Sequence, residues 1–102
     1  MTLPFVPAWA DPVWHLFVIR HPQRDALREK LAGAGIATLI HYPVPPHRSG
    51  AYAGLHLAQP CLPLAETLAA EVLSLPIGPH LTDAHARQIT DAINQSLDLL
   101  AK

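Results

Sequence analysis

The residues with the greatest chemical potential lie in one short segment, HYPVPPH, which begins at His41. His41 and Tyr42 each combine a polar tip with a flat apolar face, so they can hydrogen-bond hydroxyl or phosphate groups while packing against an apolar surface. His47 ends the segment behind two prolines, which restrict the backbone. These features suggest a small-molecule binding site. The residues alone leave an alternative open, in which His41 and Tyr42 pack a loop against a sheet and His47 is an exposed loop histidine.

Two other features of the sequence are candidate ligand-binding groups. Arg48 follows the segment and could pair with a phosphate through its guanidinium, but a surface arginine is the favoured interpretation. The chain also has seven histidines, which raises the question of a metal site. No two of them have the His-x-x-x-His spacing, and no acidic cluster accompanies them, so no metal ligand is predicted.

No catalytic nucleophile stands out in the sequence. The single cysteine, Cys61, lies between Pro60 and Leu62 without an obvious base, which predicts a buried or idle thiol. One cysteine allows no internal disulfide and favours a reducing, cytoplasmic setting. Ser74 lies in an apolar, strand-like run, and its hydroxyl is expected to bond to the backbone. The sequence therefore predicts no catalytic residue in this chain.

The first part of the chain predicts the elements that carry the HYPVPPH segment. Residues 1–12 contain three prolines and should be irregular. β-Branched and aromatic residues predict strands over Val13–Arg20 and Ile36–His41, separated by a helix from Pro22 to about Ala34. Periodicity is lost over the proline-rich stretch 42–62, and a loop of this length in a small domain usually has a function.

The second part of the chain predicts two helices and one strand. A helix is expected over Leu64–Val72, followed by a strand over Leu73–Leu75 and a last helix capped by Thr82. The apolar stripe of the last helix consists of Ile89, Ile93, Leu97 and Leu100. The order β-α-β-loop-α-β-α predicts a single α+β domain over residues 1–102, with a small, mainly antiparallel three-stranded sheet and about three helices packed chiefly on one side.

Composition excludes several classes of partner. The chain has 102 residues, half of them hydrophobic, and a formal net charge of −1. Lys and Arg are not clustered, so no nucleic-acid interface is predicted, and no apolar run approaches the ~20 residues of a membrane helix. Both faces of the strand 13–20 are largely apolar. In so small a domain one face should meet a partner, either a missing domain or a second copy of the chain.

An ordered series of short motifs resembles a known family between about residues 13 and 96. The series consists of VWHLFVIR from Val13, RDAL from Arg24, GI at Gly35 followed by HYP at His41, PPH at Pro45, PLAE at Pro63 and VLSLP at Val72. Each piece alone is weak, but the ordered set is specific. It resembles the C-terminal small domain of the DegT/DnrJ/EryC1/StrS family of sugar aminotransferases.

The resemblance implies a fold, a reaction and a site. The fold would be the small domain of fold-type I aminotransferases. The reaction would be pyridoxal-phosphate-dependent amino transfer, from a donor such as glutamate to a keto-sugar carried on a nucleotide. His41, Tyr42 and His47 would be the substrate-binding residues. The cofactor-binding residues of the family belong to its large domain, and Lys30 and Lys102 are the only lysines here, so no cofactor is expected on this chain alone.

The chain also departs from the family pattern. Pro46 replaces a leucine, Arg48 and Ser49 replace an apolar residue and a glutamine, and Gly78 replaces a bulky residue. Two interpretations remain open. The chain is part of a sugar-nucleotide aminotransferase, either excised or encoded separately, and is inactive alone. Alternatively, it is a stand-alone, non-catalytic binding or protein-interaction domain derived from that family.

Overall fold

The computed structural model describes residues 1–55 and 62–102, and it has an α+β architecture. The elements in chain order are strand β1 (Phe17–Arg20), helix α1 (Arg24–Gly33), two 3-10 helices (Pro46–Arg48 and Gly50–Leu55), helix α2 (Pro63–Glu71), strand β2 (Val72–Leu75) and helix α3 (Asp83–Leu100). The three predicted helices are confirmed, with ends that differ from the prediction by a few residues. None of the described helices is long and apolar enough to cross a membrane.

The sheet is smaller than the sequence predicts. β1 and β2 pair antiparallel over four residues each, from Phe17 opposite Leu75 to Arg20 opposite Val72. The predicted strand Val13–Arg20 is therefore wrong over its first half. β2 offers only four residues to pair with, and Val13 is 98% exposed.

The predicted third strand is also wrong. Of residues 36–41, only Leu39 pairs with the sheet, in an isolated bridge to Ser74 of β2. On the opposite edge, Thr2 forms a similar bridge to Arg20 of β1, so the N-terminal segment is not wholly irregular. The described residues thus form a two-stranded sheet with a one-residue bridge along each edge.

The hydrophobic core lies between one face of the sheet and helices α1 and α3. Its fully buried side chains are Ile19, Leu27, Leu31 and Leu73. The predicted stripe of α3 contributes Ile93, and its other three members pack against the same cluster. Because strand side chains alternate, Ser74 lies on the face opposite Leu73. That face carries the segment with His41.

Local signals explain where the helices begin and end. α1 is followed by Gly35 at φ +76°, a conformation that glycine adopts readily. α2 has Pro63 at its first position, where the missing N–H is not needed. α3 is capped as predicted, since the His85 N–H donates to Thr82 Oγ1 at 3.2 Å.

The predicted loop 42–62 contains the two 3-10 helices, and its residues 56–61, including Cys61, lie outside the described part of the chain.

Helix α2 passes directly into β2, and the buried Arg24 of α1 stabilises this corner. Its Nη1 donates to the carbonyl oxygens of Ala69 at 3.1 Å and Val72 at 2.9 Å. Carbonyls at a helix C-terminus have no partner within the helix, so they need an outside donor. Arg20 of β1 adds an ion pair, Nη2 to Glu71 Oε2 at 2.8 Å.

Replacing Arg24 with methionine should test whether its hydrogen bonds stabilise the corner between α2 and β2. We expect Arg24→Met to lower the free energy of unfolding by about 1–3 kcal/mol, because two carbonyls lose their donor inside the fold. Arg28→Met is the matched control, since Arg28 is an exposed arginine of the same helix, and it should change stability by less than about 0.5 kcal/mol. Urea unfolding followed by circular dichroism measures both. Equal effects of the two substitutions would contradict this role.

Candidate functional site

His41 is anchored to the centre of the sheet by Ser74. The Nδ1 of its ring lies 2.8 Å from the Ser74 hydroxyl. Ser74 is buried, and its backbone is bonded to Leu39 through two hydrogen bonds of 2.7 and 3.1 Å. The prediction that the Ser74 hydroxyl bonds to the backbone is therefore wrong, because its partner is the imidazole. The spacing of the sequence did not reveal this contact, which joins residues 33 positions apart.

Tyr42 lies beside His41 and faces outward. The two rings meet edge to face, with centroids 5.6 Å apart and planes at 90°. The peptide bond that joins the two residues is cis. The Tyr42 side chain is 74% exposed, so its phenol is accessible to a ligand. Of these two predicted site residues, His41 is therefore anchored to the sheet and Tyr42 is accessible.

Two cavities adjoin His41. The larger measures about 270 Å³ and lies between the HYPVPPH segment and helix α2. Its lining is mainly apolar and consists of His41, Tyr42, Val44, Pro45, Pro46, Ala65, Leu68, Ala69 and Val72. The smaller measures about 170 Å³ and includes His15, Leu39 and Ser74 in its wall. The imidazole of His41 thus forms part of both walls.

His47 lies apart from these cavities and contacts helix α2. Its Nε2 donates to Glu66 Oε1 at 3.0 Å, and the side chain is only 12% exposed. The alternative of an exposed loop histidine is therefore wrong. Arg48 is at the surface, as predicted, and its Nη2 also contacts Glu66 Oε1, at 3.0 Å. Glu66 was not singled out in the sequence, although it belongs to the PLAE motif at the start of α2.

The two donors lower the pKa of Glu66. The hydrogen bond from His47 has the largest effect, followed by the hydrogen bond from Arg48, because both stabilise the carboxylate. Glu66 also lies in the first turn of α2, where a negative charge is favourable. The HYPVPPH segment is thus fixed at one end to β2 through His41 and at the other to α2 through His47.

The lysines do not fit a pyridoxal phosphate site. Covalent attachment of this cofactor needs a lysine amine within a binding pocket. Lys30 lies in the last turn of α1, Lys102 is exposed at the end of the chain, and neither lines the cavities beside His41. Within residues 1–55 and 62–102, no three His, Cys, Asp or Glu side chains are grouped to hold a metal ion.

Comparison with protein families gives a match over most of the chain. The sequence profile of the DegT/DnrJ/EryC1/StrS aminotransferase family matches residues 1–94. The chain is 58% identical over 82 residues to the erythromycin biosynthesis sensory transduction protein EryC1 of Saccharopolyspora erythraea. The aligned region covers 80% of this chain and 22% of that protein. It is 52% identical over 93 residues to dTDP-3-amino-3,4,6-trideoxy-alpha-D-glucose transaminase of Streptomyces venezuelae, and this aligned region covers 91% of this chain and 24% of that protein.

Solved structures show the same relationship. The crystal structure of DesV from Streptomyces venezuelae, in complex with a ketimine intermediate, superposes with a TM-score of 0.85 at 51% identity, covering 92% of this chain and 25% of that one. A DegT DnrJ EryC1 StrS aminotransferase from Brucella abortus gives a TM-score of 0.80 at 31% identity. The chain spans about a quarter of the length of the relatives it matches.

Titration of the Glu66 carboxyl should test the contact between His47 and Glu66 of α2. We expect NMR titration to give a pKa below the ordinary value of 4.5, and His47→Ala to move the pKa back toward it. A carboxyl whose pKa is lowered in the folded state stabilises the fold above its ordinary pKa, and this contribution is lost as the pH falls through the lowered value. The stability difference between wild type and His47→Ala should shrink over that interval.

His85→Ala provides the control for this titration. His85 is an exposed histidine of α3, so its loss should leave the pKa of Glu66 unchanged. An unaltered Glu66 pKa in His47→Ala would show that the contact between His47 and Glu66 is not formed in solution.

Proposed function

Because the chain belongs to the DegT/DnrJ/EryC1/StrS aminotransferase family, we propose that it is the substrate-binding small-domain part of a sugar-nucleotide aminotransferase. One observation carries the proposal: His41 is fixed to Ser74 beside an accessible Tyr42, at the wall of a largely apolar cavity of about 270 Å³. A few polar groups on an apolar wall are typical of a small-molecule site. The substrate would be a keto-sugar linked to a nucleotide, as the names of the transaminase relatives indicate.

The residues of this chain would bind and orient the substrate. The imidazole of His41 and the phenol of Tyr42 can each hydrogen-bond a sugar or phosphate oxygen, while their rings pack against the apolar part of the ligand. Holding a substrate in one orientation contributes to catalysis without proton transfer. In the complete family enzyme, bound pyridoxal phosphate supplies the chemistry of amino-group transfer.

His47 enters the proposal in a second capacity. Its contact with Glu66 holds the segment that carries His41 and Tyr42 against α2. Direct contact between His47 and substrate, which the family resemblance implies, remains a prediction. The side chain is largely buried and its Nε2 is bonded to a carboxylate, so such a contact would need the other ring nitrogen.

The proposal requires a catalytic partner, since neither lysine is suitably placed. That partner would be a large domain carrying the cofactor lysine, in a longer polypeptide or a separate chain, in the cytoplasm. The exposed apolar side chains of the N-terminal segment support such a contact. Phe5 is 88% exposed and Trp9 is 87% exposed, which costs free energy unless another surface covers them.

The same exposed side chains also favour a second candidate function. A stand-alone interaction domain derived from the family would use the N-terminal segment to bind another protein or a second copy of the chain. The two candidates differ in what His41 and Tyr42 do. Only the aminotransferase proposal requires them for turnover of a sugar nucleotide.

A chimeric enzyme should separate these functions. We expect that residues of this chain, replacing the matching quarter of the Streptomyces venezuelae transaminase, give an enzyme that turns over that relative's own substrate. In this chimera, His41→Ala should raise KM by about tenfold, and Tyr42→Phe by about two- to tenfold, because each removes one hydrogen bond to substrate. Steady-state kinetics with the sugar nucleotide varied gives these values.

His85→Ala, at an exposed position of α3, is the matched histidine control and should leave KM unchanged. A folded chimera that binds pyridoxal phosphate but turns over no substrate would contradict the proposal. So would a His41→Ala variant that behaves like His85→Ala.

Mixing the chain alone with pyridoxal phosphate should test the need for a catalytic partner. We expect no stoichiometric adduct after borohydride reduction, by intact mass and by the absorbance spectrum, because neither lysine lies in a pocket suited to the cofactor. Lys30→Arg should give the same trace labelling as wild type. A specific adduct at Lys30, lost in Lys30→Arg, would show that this chain has a cofactor site of its own.

A further inference from the structure

Ser74 is a polar side chain in the most buried strand of the fold. Its neighbours in β2 are Leu73, which is fully buried, and Leu75. Ser74 itself is 4% exposed, and a buried hydroxyl is costly unless it is hydrogen-bonded. Its position is also rigid, because it lies between Val18 of β1 and the bridge residue Leu39. A hydroxyl in this place is well suited to fixing another side chain.

The hydroxyl of Ser74 has one partner among the described residues, Nδ1 of His41 at 2.8 Å. A hydroxyl hydrogen can be satisfied only by an acceptor, and a ring nitrogen accepts only when it carries no proton. If Nδ1 carried the proton, the hydroxyl would accept from it, and the Ser74 hydrogen would have no acceptor among the described residues. The arrangement that satisfies both groups has Ser74 donating to an unprotonated Nδ1.

We propose that Ser74 is a positioning residue that holds the neutral imidazole of His41 in the tautomer with its proton on Nε2. The tautomer of a histidine is set by the hydrogen bond that its other nitrogen makes. His41 then presents an N–H donor to the cavities in whose walls it lies. The ligand group it takes is an acceptor oxygen, from either the sugar or the phosphate of the nucleotide. This inference rests on the proposed function for the identity of the ligand, but its claim about the tautomer does not.

The tautomer can be measured on the chain without any ligand. Long-range ¹H–¹⁵N NMR spectra at pH 8, where an ordinary imidazole is neutral, distinguish the two tautomers by their pattern of cross-peaks. We expect the Nε2–H pattern for His41 in the wild-type chain. An Nδ1–H pattern, or equal amounts of both tautomers, would overturn the assignment. This result needs no variant, so it stands even if substitutions at Ser74 impair folding.

Two variants test whether Ser74 causes the preference. Ser74→Ala should convert His41 to a mixture of tautomers, whereas Ser74→Thr keeps the hydroxyl and should restore the Nε2–H pattern. The exposed His85 reports any general change, and its pattern should be the same in all three proteins. A purely packing role for Ser74 would leave the His41 pattern of a folded Ser74→Ala variant unchanged, and that outcome would overturn the proposal.

The chimeric enzyme tests what the Nε2–H group binds. Ser74→Ala should raise KM for the sugar nucleotide by about three- to tenfold, with a smaller change in kcat. If the acceptor is a phosphate oxygen, Ser74→Ala and His41→Ala should weaken inhibition by dTDP by a similar factor. If it is a sugar oxygen, KM should rise while inhibition by dTDP is unchanged. Either result supports a donor role for His41.

The failures of the two proposals are distinguishable. If neither variant changes KM or inhibition, but the wild-type spectrum has the Nε2–H pattern, the substrate-binding function fails and the tautomer assignment stands. If the spectrum has the Nδ1–H pattern while His41→Ala still raises KM, the positioning role of Ser74 fails and the substrate-binding function stands.

Discussion

The described structure depends on the corner where helix α2 becomes strand β2 without an intervening loop. Arg24 of α1 stabilises that corner, because one nitrogen of its guanidinium donates to the carbonyl oxygens of both Ala69 and Val72. Ser74 lies two residues after Val72, the first residue of β2, and Glu66 lies five residues before Glu71, the last residue of α2. Arg24, together with the ion pair between Arg20 and Glu71, therefore helps to fix the two groups that hold the HYPVPPH segment. A change in the angle between α2 and β2 would move both ends of that segment.

The helices were predictable from the sequence, but the extent of the sheet was not. Leu27 and Leu31 repeat at helical spacing within α1, and Ile89 and Ile93 do so within α3, so each pattern is local to one element. A strand needs a partner of equal length, and nothing near Val13 indicates that β2 has only four residues. β-Propensity describes how a side chain fits a pleated surface, and Val13 has the propensity without the surface.

The candidate site was only partly predictable, for a related reason. Residue types and the family resemblance indicated His41, Tyr42 and His47, and in the structure the first two line the same cavity. The groups that hold them were missed. Ser74 lies 33 positions from His41 and Glu66 lies 19 positions from His47, so no local spacing connects either pair. A serine within an apolar run was the one signal, since a buried hydroxyl always needs a partner.

On the proposed function, these internal contacts have a consequence for how binding and chemistry are divided. His41 is already bonded to the sheet and His47 to α2, so the side chains need little ordering when a ligand arrives, which lowers the entropic cost of binding. The residues that would complete catalysis are not in the described part of the chain, but the binding wall does not depend on them for its shape. A catalytic domain would then supply the cofactor site and cover the exposed aromatic side chains of the N-terminal segment. Substrate orientation would come from this chain and amino transfer from its partner.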